Sequence, residues 1–227
     1  MKKKFLIMML LVVTLFGFTA CKKSEINLQN YLIEDRQNLF ATNDDLYTVT
    51  LSTGFREIDY CFDGVVNEKT AFAILSLNRN DNKPLSNDNY SYTITINEEV
   101  LTGFLEKSQV DGSYSIDLEK EIPADAIINV KVSFTGYSIN QDLTNISNNF
   151  NVDNSTALTI ANDQLKNDVQ NLVNSNSSIE VVTKILTDNS AIDINNYFWY
   201  VGVISSNGET MGVLIDANSG EILAKKV

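Results

Sequence analysis

The chain has 227 residues, of which 44% are apolar, a composition that suits one larger domain or two small ones. Its formal net charge of −12 argues against nucleic acid as a partner, because a phosphate backbone requires clustered Lys and Arg. The absence of histidine removes the commonest general base, the usual zinc and haem ligand, and every Ser-His or Cys-His pair. We therefore expect neither an enzyme nor a cofactor, while catalysis by carboxylates or lysine alone stays open.

Residues 1–20 have the pattern of a secretory signal peptide. Three lysines directly after Met1 form a positively charged start, and the run from Phe5 to Phe16 is almost wholly apolar. The stretch from Phe5 to Ala20 is shorter than the roughly 20 residues that a membrane span needs. We expect this segment to be removed from the mature protein.

The four residues "FTAC" at Phe18 to Cys21 resemble the lipobox of bacterial lipoproteins, with Phe18 where leucine is more usual. The resemblance implies that Cys21 is acylated, palmitate included, and anchors the protein at the extracytoplasmic face of a bacterial membrane. Two or three acyl chains make a stable anchor, because each buried methylene contributes about 0.8 kcal/mol. Ordinary signal-peptidase cleavage and an uncleaved, buried cysteine are the alternatives. The acidic body is repelled by anionic lipid, so we expect only the anchor to touch the membrane.

Residues 21–44 are polar with scattered apolar positions. We interpret them as a tether that lifts the body off the membrane. A short helix is the alternative, because five apolar side chains could contribute to it: Leu28, Tyr31, Leu32, Leu39 and Phe40. Within a tether we expect transient helicity only.

Residues 45–136 carry a hydrophobic period of two, which is typical of half-buried strands. The segments "NYSYTITIN", "SYSIDLE" and "IINVKVSF" alternate apolar and polar side chains, and "LYTVTL" and "AFAILSLN" are also strand-like. Turn residues in "RNDNKPLSNDN" and "QVDG" separate the runs. Roughly six or seven short strands without a convincing helix predict a β-sandwich. We expect an immunoglobulin-like topology that lacks the cysteine pair of antibody domains.

Residues 137–154 are rich in Asn, Ser and Thr and are interpreted as a linker, with an edge strand at its start as a further option. The hydrophobic period then changes to 3.6, which predicts one amphipathic helix over about Thr156–Val173 with its N-cap among residues 153–155. Four strand-like runs follow: "IEVVTKIL", "YFWYVGVIS", "ETMGVLID" and "EILAK". Asn207-Gly208 between the second and third runs is a strong hairpin signal. The chain is thus expected to be mainly β with one helix, in the α+β class.

The stretch "GVLIDANSGEIL" near the C-terminus joins the last two runs. The Asp216 side chain can accept backbone N–H groups two residues on, and Gly220 can supply a positive φ, so we interpret residues 216–220 as a tight turn. This part of the chain resembles a PepSY domain. The resemblance lies in a helix that is followed by an aromatic strand (Tyr197–Ser205), a strand with an acidic end (Glu209–Asp216) and a Gly-Glu-apolar-apolar ending (220–223). The resemblance covers residues 155–227. It implies a small helix-plus-antiparallel-meander domain, as in protease propeptides, and it carries no catalytic residue.

A metal site is the alternative interpretation of this turn, because Asp216, Asn218 and Glu221 offer oxygen ligands. An EF-hand loop needs its glycine one position later and is longer, so the turn interpretation is preferred. We expect no metal and no cofactor.

The segment "TGFREIDYCFDG", residues 53–64, is the second stretch whose residues suggest a site. Arg56 lies there among several carboxylates and could belong to a small polar site. A thiol beside carboxylates stays protonated and is a poor nucleophile, so we expect Cys61 to be a free structural cysteine. A reactive thiol or an intermolecular disulfide is the alternative.

The aromatic cluster at residues 197–200 is the candidate recognition surface, and Phe198, Trp199 and Tyr200 are its candidate protein-binding residues. Because side chains alternate along a strand, two of the four aromatic residues must face the core, and the other two face solvent or a partner. Alternation divides the strand into Tyr197, Trp199, Val201 and Val203 on one face, and Phe198, Tyr200 and Ile204 on the other. Gly202 leaves a gap on the second face.

These observations favour an anchored, non-enzymatic envelope protein that binds another protein and modulates it, with a peptidase as one candidate partner. A carbohydrate or wall-polymer binding module is the first alternative, and it would show solvent-facing aromatic side chains on one sheet of the sandwich. A carboxylate-dependent hydrolase is the second, and it needs two acidic residues that converge in a cleft.

Overall fold

The computed structural model of the protein describes residues 26–43, 45–58, 62–81, 83–108, 113–187 and 197–227. These residues form thirteen strands, one α-helix and two short 3₁₀ turns, at Leu28–Tyr31 and Ile146–Asn149. The fold is therefore mainly β with one helix in the described ranges, which is the α+β class that the sequence predicts.

Nine of the strands precede the helix. Their bounds are β1 (Leu32–Asn43), β2 (Tyr47–Glu57), β3 (Lys69–Arg79), β4 (Ser91–Ile96), β5 (Glu99–Phe104), β6 (Glu106–Lys107), β7 (Tyr114–Asp117), β8 (Ile128–Phe134) and β9 (Tyr137–Asn145). In β4 and β8, buried and half-buried or exposed residues alternate, as their sequences predict.

The helix and four strands complete the chain. Their bounds are α1 (Asn154–Asn174), β10 (Ile179–Thr187), β11 (Tyr197–Ser205), β12 (Thr210–Asp216) and β13 (Ile222–Lys226). The predicted helix is confirmed, and Asp153 is its N-cap, because its Oδ1 accepts the Thr156 N–H at 2.7 Å. Its buried residues follow the predicted 3.6 period: Ala157, Leu158, Ala161, Leu165, Val169 and Leu172.

The strands form one branched sheet. The main path runs β13-β12-β11-β10-β1-β2-β3-β7-β6, and the branch runs from β1 through β9, β8 and β4 to β5. Neighbouring strands are antiparallel except β1 and β10, which are parallel. β1 is the branch point. One edge of β1 pairs with β2, and the other edge pairs first with β10 and then with β9.

The tether interpretation of residues 21–44 is wrong for residues 32–43, because these residues form the central strand β1. Its start pairs with β10 (Leu32 opposite Val181) and its end with β9 (Phe40 opposite Asn145). The polar middle of β1 resembles a solvated segment in sequence. In the fold, Asp35 is 8% exposed and accepts hydrogen bonds from the Thr183 hydroxyl at 3.0 Å and the Gln37 amide at 2.8 Å.

The linker interpretation of residues 137–154 is wrong for residues 137–145. This segment starts with the strand β9, which pairs with the whole of β8, from Phe134 opposite Tyr137 to Ile128 opposite Leu143. Because its end also pairs with β1, β9 is not the edge strand that was considered. The rest of the segment is also packed, because Ile146 and Val152 are buried and the Val152 N–H donates to the Ala217 carbonyl at 3.0 Å.

Two hydrophobic cores share β1. The first lies between α1 and the sheet β10–β12, and the second lies among the strands β1–β9. Leu39 and Ala41 of β1 belong to the first core and Phe40 to the second. The first core also contains Ile26 and Leu28, so the boundary expected at residue 155 does not separate two self-contained cores.

Candidate functional site

One face of the sheet β10–β13 is covered by α1, and side-chain alternation determines which residues of β11 lie there. Tyr197, Trp199, Val201 and Val203 are at most 2% exposed and belong to the helix-side core. Phe198, Tyr200 and Ile204 are half-buried on the opposite face. The predicted division of β11 into two faces is therefore confirmed.

The opposite face is apolar across several strands. Cross-strand partners share a face, so the registers of the sheet give its rows. One row is Lys184–Tyr200–Leu214, a second is Val182–Gly202–Gly212, and a third is Leu186–Phe198–Asp216. We name this surface the open face. Its members are Val182, Lys184, Leu186, Phe198, Tyr200, Gly202, Ile204, Thr210, Gly212 and Leu214, with Glu180 opposite Ile204 at one end and Asp216 at the other. No helix covers it within the described part of the chain.

The Tyr200 ring forms the centre of the open face. A Cβ built on Gly202 or on Gly212 would lie 2.8 Å from a ring carbon of Tyr200, so the ring lies directly over both glycines. The gap predicted at Gly202 is thus filled by the neighbouring Tyr200. Only residues without a side chain allow this ring to approach the backbone, and the result is an aromatic surface supported by the sheet.

Lysines border the open face. Lys184 is the cross-strand partner of Tyr200, and Lys226 Nζ donates to Thr210 Oγ1 at 2.8 Å. Lys225 reaches the other side of the sheet, where its Nζ lies 2.8 Å from Asp168 Oδ2 on α1. The face therefore combines apolar side chains at its centre with cations at its border.

The segment 62–68 closes one end of the open face. Its Gly64 N–H donates to Glu180 Oε1 at 3.4 Å, and its Asn67 N–H donates to Glu57 Oε1. Glu57 and Glu180 are 6% and 1% exposed. The second carboxylate oxygen of each has no hydrogen-bond partner among the described residues. Both buried carboxylates therefore accept backbone N–H groups of this segment.

Trp199 is not available to a partner, and its assignment as a protein-binding residue is wrong. It is 1% exposed, and its indole Nε1–H donates to the Val152 carbonyl at 2.7 Å. A buried indole needs such an acceptor, and the segment before α1 supplies it. Burial also raises the pKa of the Tyr197 hydroxyl. Phe198 and Tyr200 are the two candidate residues that lie on the open face.

A polar cluster that the sequence did not predict lies next to the open face. Glu34 is the cross-strand partner of both Val182 and Arg56. The Arg56 guanidinium pairs with Asp117 and lies 4.8 Å from the ring centre of buried Phe72. The polar site expected around Arg56 in residues 53–64 instead recruits Asp117 from β7. Residues so distant in the chain carry no local signal of this contact.

The Asp216 turn forms as the sequence predicts. Asp216 Oδ1 accepts the N–H groups of Ser219 at 2.7 Å and Asn218 at 2.9 Å, and Gly220 has a φ of 74°. The Ser219 N–H, followed by that of Asn218, holds the pKa of the Asp216 carboxyl below its ordinary value. Both of these bonds end on Asp216 Oδ1, as the turn interpretation predicts.

Replacing Asp216 with Ala is expected to cost about 1 kcal/mol of unfolding free energy at neutral pH, because two N–H groups lose a charged acceptor. A lowered pKa in the folded state means that the carboxylate stabilises the fold above its unfolded pKa of about 3.9. This contribution is lost as pH falls through the folded pKa. Urea unfolding between neutral and strongly acidic pH should therefore show the difference between the two proteins shrinking.

Glu221→Ala is the matched control in the same turn. The Glu221 carboxylate accepts no hydrogen bond from the described residues, so we expect a change within about 0.5 kcal/mol. A difference between wild type and Asp216→Ala that stays constant down to acid pH would contradict the assigned role of the ionised carboxylate.

Cys21 and Cys61 both lie outside the described residues. Within the described ranges, no group of three or more acidic or cysteine side chains could hold a metal ion. In the same ranges, no helix combines the length and the apolar character needed to cross a membrane.

Comparison with known proteins assigns no family to the chain. Neither a protein-family model nor a curated protein nor a solved structure matches it. The function is therefore inferred from the residues of this chain alone.

Proposed function

We propose that the protein is a lipid-anchored, extracytoplasmic binding protein that uses the open face to contact a protein partner. The observation that carries this proposal is the set of half-buried or exposed apolar side chains on that face, with Leu186 41% exposed at one end. A contiguous apolar surface of this kind usually marks an interaction site. The Tyr200 ring over two glycines adds a rigid aromatic group, which is a common anchor in protein interfaces.

The proposal also assigns a fold to each of the two parts of the chain. An immunoglobulin-like sandwich for β1–β9 is supported by two antiparallel parts of the branched sheet, β1-β2-β3-β7-β6 and β9-β8-β4-β5, with one shared core. A PepSY-like unit for α1 and β10–β13 is supported by a helix followed by an antiparallel meander that ends in the Asp216 turn. In this chain, the C-terminal sheet also receives β1 as a parallel neighbour of β10. The PepSY resemblance makes a peptidase, or another envelope protein, the expected partner.

The anchor rests on the signal pattern of residues 1–20 and on Cys21. Lipidation would hold the acidic body near the membrane without binding it to the lipid surface. Cys21→Ala is expected to abolish labelling by a radioactive or alkyne-tagged fatty acid. Retained labelling in that variant would remove the anchor from the proposal.

The binding role is tested with the full-length, acylated protein and a double substitution, Phe198→Ser with Ile204→Ser. Both side chains are half-buried on the open face, so the double substitution should cost about 2 kcal/mol and leave the protein folded while partner capture is lost. The measurement is affinity capture from native envelope, with the unfolding midpoint of each variant determined in parallel.

Ile127→Ser with Leu46→Ser is the control variant. These residues are 76% and 49% exposed on the sandwich, so the control removes similar apolar groups from another surface. Capture that is lost equally in both variants, or kept in both, would count against the open face. Unfolding of the Phe198 and Ile204 variant would show that the face is part of the core.

The two alternatives receive less support. Among the described residues of β1–β9 and their loops, Phe104 is the one exposed aromatic side chain, so no solvent-facing aromatic cluster marks a carbohydrate site there. A shallow depression beside β8 and β9 is lined by Asp125 and Asp142. Both are exposed, and Asp142 accepts the Asn129 amide at 2.9 Å, so this depression does not provide the desolvated carboxylate that acid catalysis requires.

A further inference from the structure

The branched sheet has three open edges in the described part of the chain, at β13, β6 and β5. An open edge presents unpaired N–H and C=O groups, and proteins protect such edges with lysines, bulges or very short strands. β13 carries Lys225 and Lys226 and has an irregular register with β12. β6 has two residues. Both of these edges are therefore protected against pairing with another strand.

β5 has no lysine, no bulge and six residues, and its one charged side chain, Glu99 at its start, pairs with Lys120 Nζ at 2.5 Å. It pairs with β4 along its whole length without a bulge, from Ser91 opposite Phe104 to Ile96 opposite Glu99. No backbone hydrogen bond joins its outer edge to another described residue. Its solvent side carries Val100, which is 57% exposed, and Phe104, which is 64% exposed. Their cross-strand neighbours on β4 are the small polar residues Thr95 and Ser91, which leave both side chains uncovered.

We propose that the β5 edge pairs antiparallel with β5 of a second copy of this chain. The alternation of β5 is self-complementary when the two-fold axis passes through Thr102. Val100 then lies opposite Phe104 of the second copy, and Thr102 lies opposite its own equivalent. Aromatic–β-branched pairs and Thr–Thr pairs are among the favourable cross-strand combinations. This register covers the two most exposed apolar side chains of the strand with each other.

The expected strength of this pairing follows from its size. A pair of six-residue strands is about 20 Å long. It buries less than the roughly 1,200 Å² of a standard stable interface. The dimer is therefore weak, and the fraction of protein in the dimer rises with the local concentration of the protein. This inference does not use the open face or Cys21, so its failure would leave the proposed function unaffected.

Disulfide trapping tests the proposed register. Thr102→Cys, in full-length protein that also carries Cys61→Ser, places two thiols across the two-fold axis. Opposed residues of an antiparallel pair have Cα atoms about 4.5–5.5 Å apart. This separation lies within the range that a disulfide spans. After mild oxidation, we expect a covalent homodimer on a gel run without reductant.

Thr93→Cys in the same background is the matched control. Thr93 is the cross-strand partner of Thr102 on β4, so it faces the same solvent side but does not lie on the edge. We expect the dimer yield for Thr102→Cys to exceed that for Thr93→Cys by about tenfold, because only the former thiols meet across a pairing edge. Adding Val100→Lys to Thr102→Cys should reduce the yield to the control level, because an edge lysine opposes pairing.

Three results would overturn the proposal. The first is equal dimer yields for Thr102→Cys and Thr93→Cys, and the second is no dimer for either. The third is a mixed disulfide of Thr102→Cys with a different protein in place of a homodimer, which would assign the edge to an extended segment of another chain. Val100 and Thr102 are exposed, so these variants are expected to fold.

Discussion

A fragment that spans residues 155–227 is expected to be unfolded in isolation, although it contains all of α1 except Asn154 and the strands β10–β13. Its core in the whole protein includes Leu28 and Leu32, which are 1% and 0% exposed and lie before the fragment begins. The fragment also loses the β1 strand that pairs with β10, and it is small for a self-sufficient core. Circular dichroism with urea should show no cooperative transition.

A chain that joins residues 26–43 to residues 146–227 through a flexible linker is the matched comparison. It restores β1, the Leu28 N–H donation to Asn162 Oδ1 at 3.1 Å and the Thr183 hydroxyl donation to Asp35. We expect it to regain helical signal and a cooperative transition. A fragment of residues 155–227 that unfolds cooperatively, with stability near that of the full protein, would instead support an independent domain.

Trp199→Ala is expected to destabilise the protein by about 3–5 kcal/mol, which is the usual cost of truncating a buried large aromatic side chain. Trp199 is 1% exposed and packs against Phe150, with ring centres 6.3 Å apart. Its indole also supplies the N–H that the Val152 carbonyl accepts. The substitution therefore leaves both a cavity under α1 and a buried acceptor without its donor. The measurement is the free energy of unfolding in urea.

Two further substitutions separate these contributions. Trp199→Phe keeps most of the apolar volume but removes the indole N–H, so we expect a cost that includes about 1–3 kcal/mol for the unpaired carbonyl. Phe198 is next to Trp199 on the same strand, but its side chain projects from the open face, so the second substitution is Phe198→Ala. We expect it to cost about 1 kcal/mol, as for a partly exposed side chain. Equal costs for Phe198→Ala and Trp199→Ala would show that both faces of β11 are buried.

The helix and the two faces of β11 could be predicted because their signals are local. Leu158, Leu165 and Leu172 recur with the helical period, and alternation in β11 separates Trp199 from Tyr200. The Asp216 turn is also local, because the bonds to the Asp216 carboxylate join residues at most three positions apart. These features need no knowledge of the rest of the chain.

The role of β1 could not be predicted for a physical reason. Charged and amide residues in the middle of a strand indicate a solvated segment when their partners are unknown. In the fold, the Asp35 carboxylate is satisfied by Thr183, which is 148 residues away along the chain. Arg56 finds its carboxylate partner, Asp117, 61 residues away. Such contacts have no periodicity that a sequence window could detect.

The amino-acid sequence by itself determined the α+β composition, the position of α1, the alternation of the strands and the Asp216 turn, because each depends on the geometry of neighbouring residues. The tertiary structure decided which strands pair and which face stays open. β1 became the shared strand of two cores because its two edges could be satisfied by β2 on one side and by β10 and β9 on the other. Tyr200 became the centre of the open face because Gly202 and Gly212 were brought side by side beneath its ring. Strand pairing brings distant segments together, and only that proximity determines where a polar side chain is satisfied or an apolar one is left exposed.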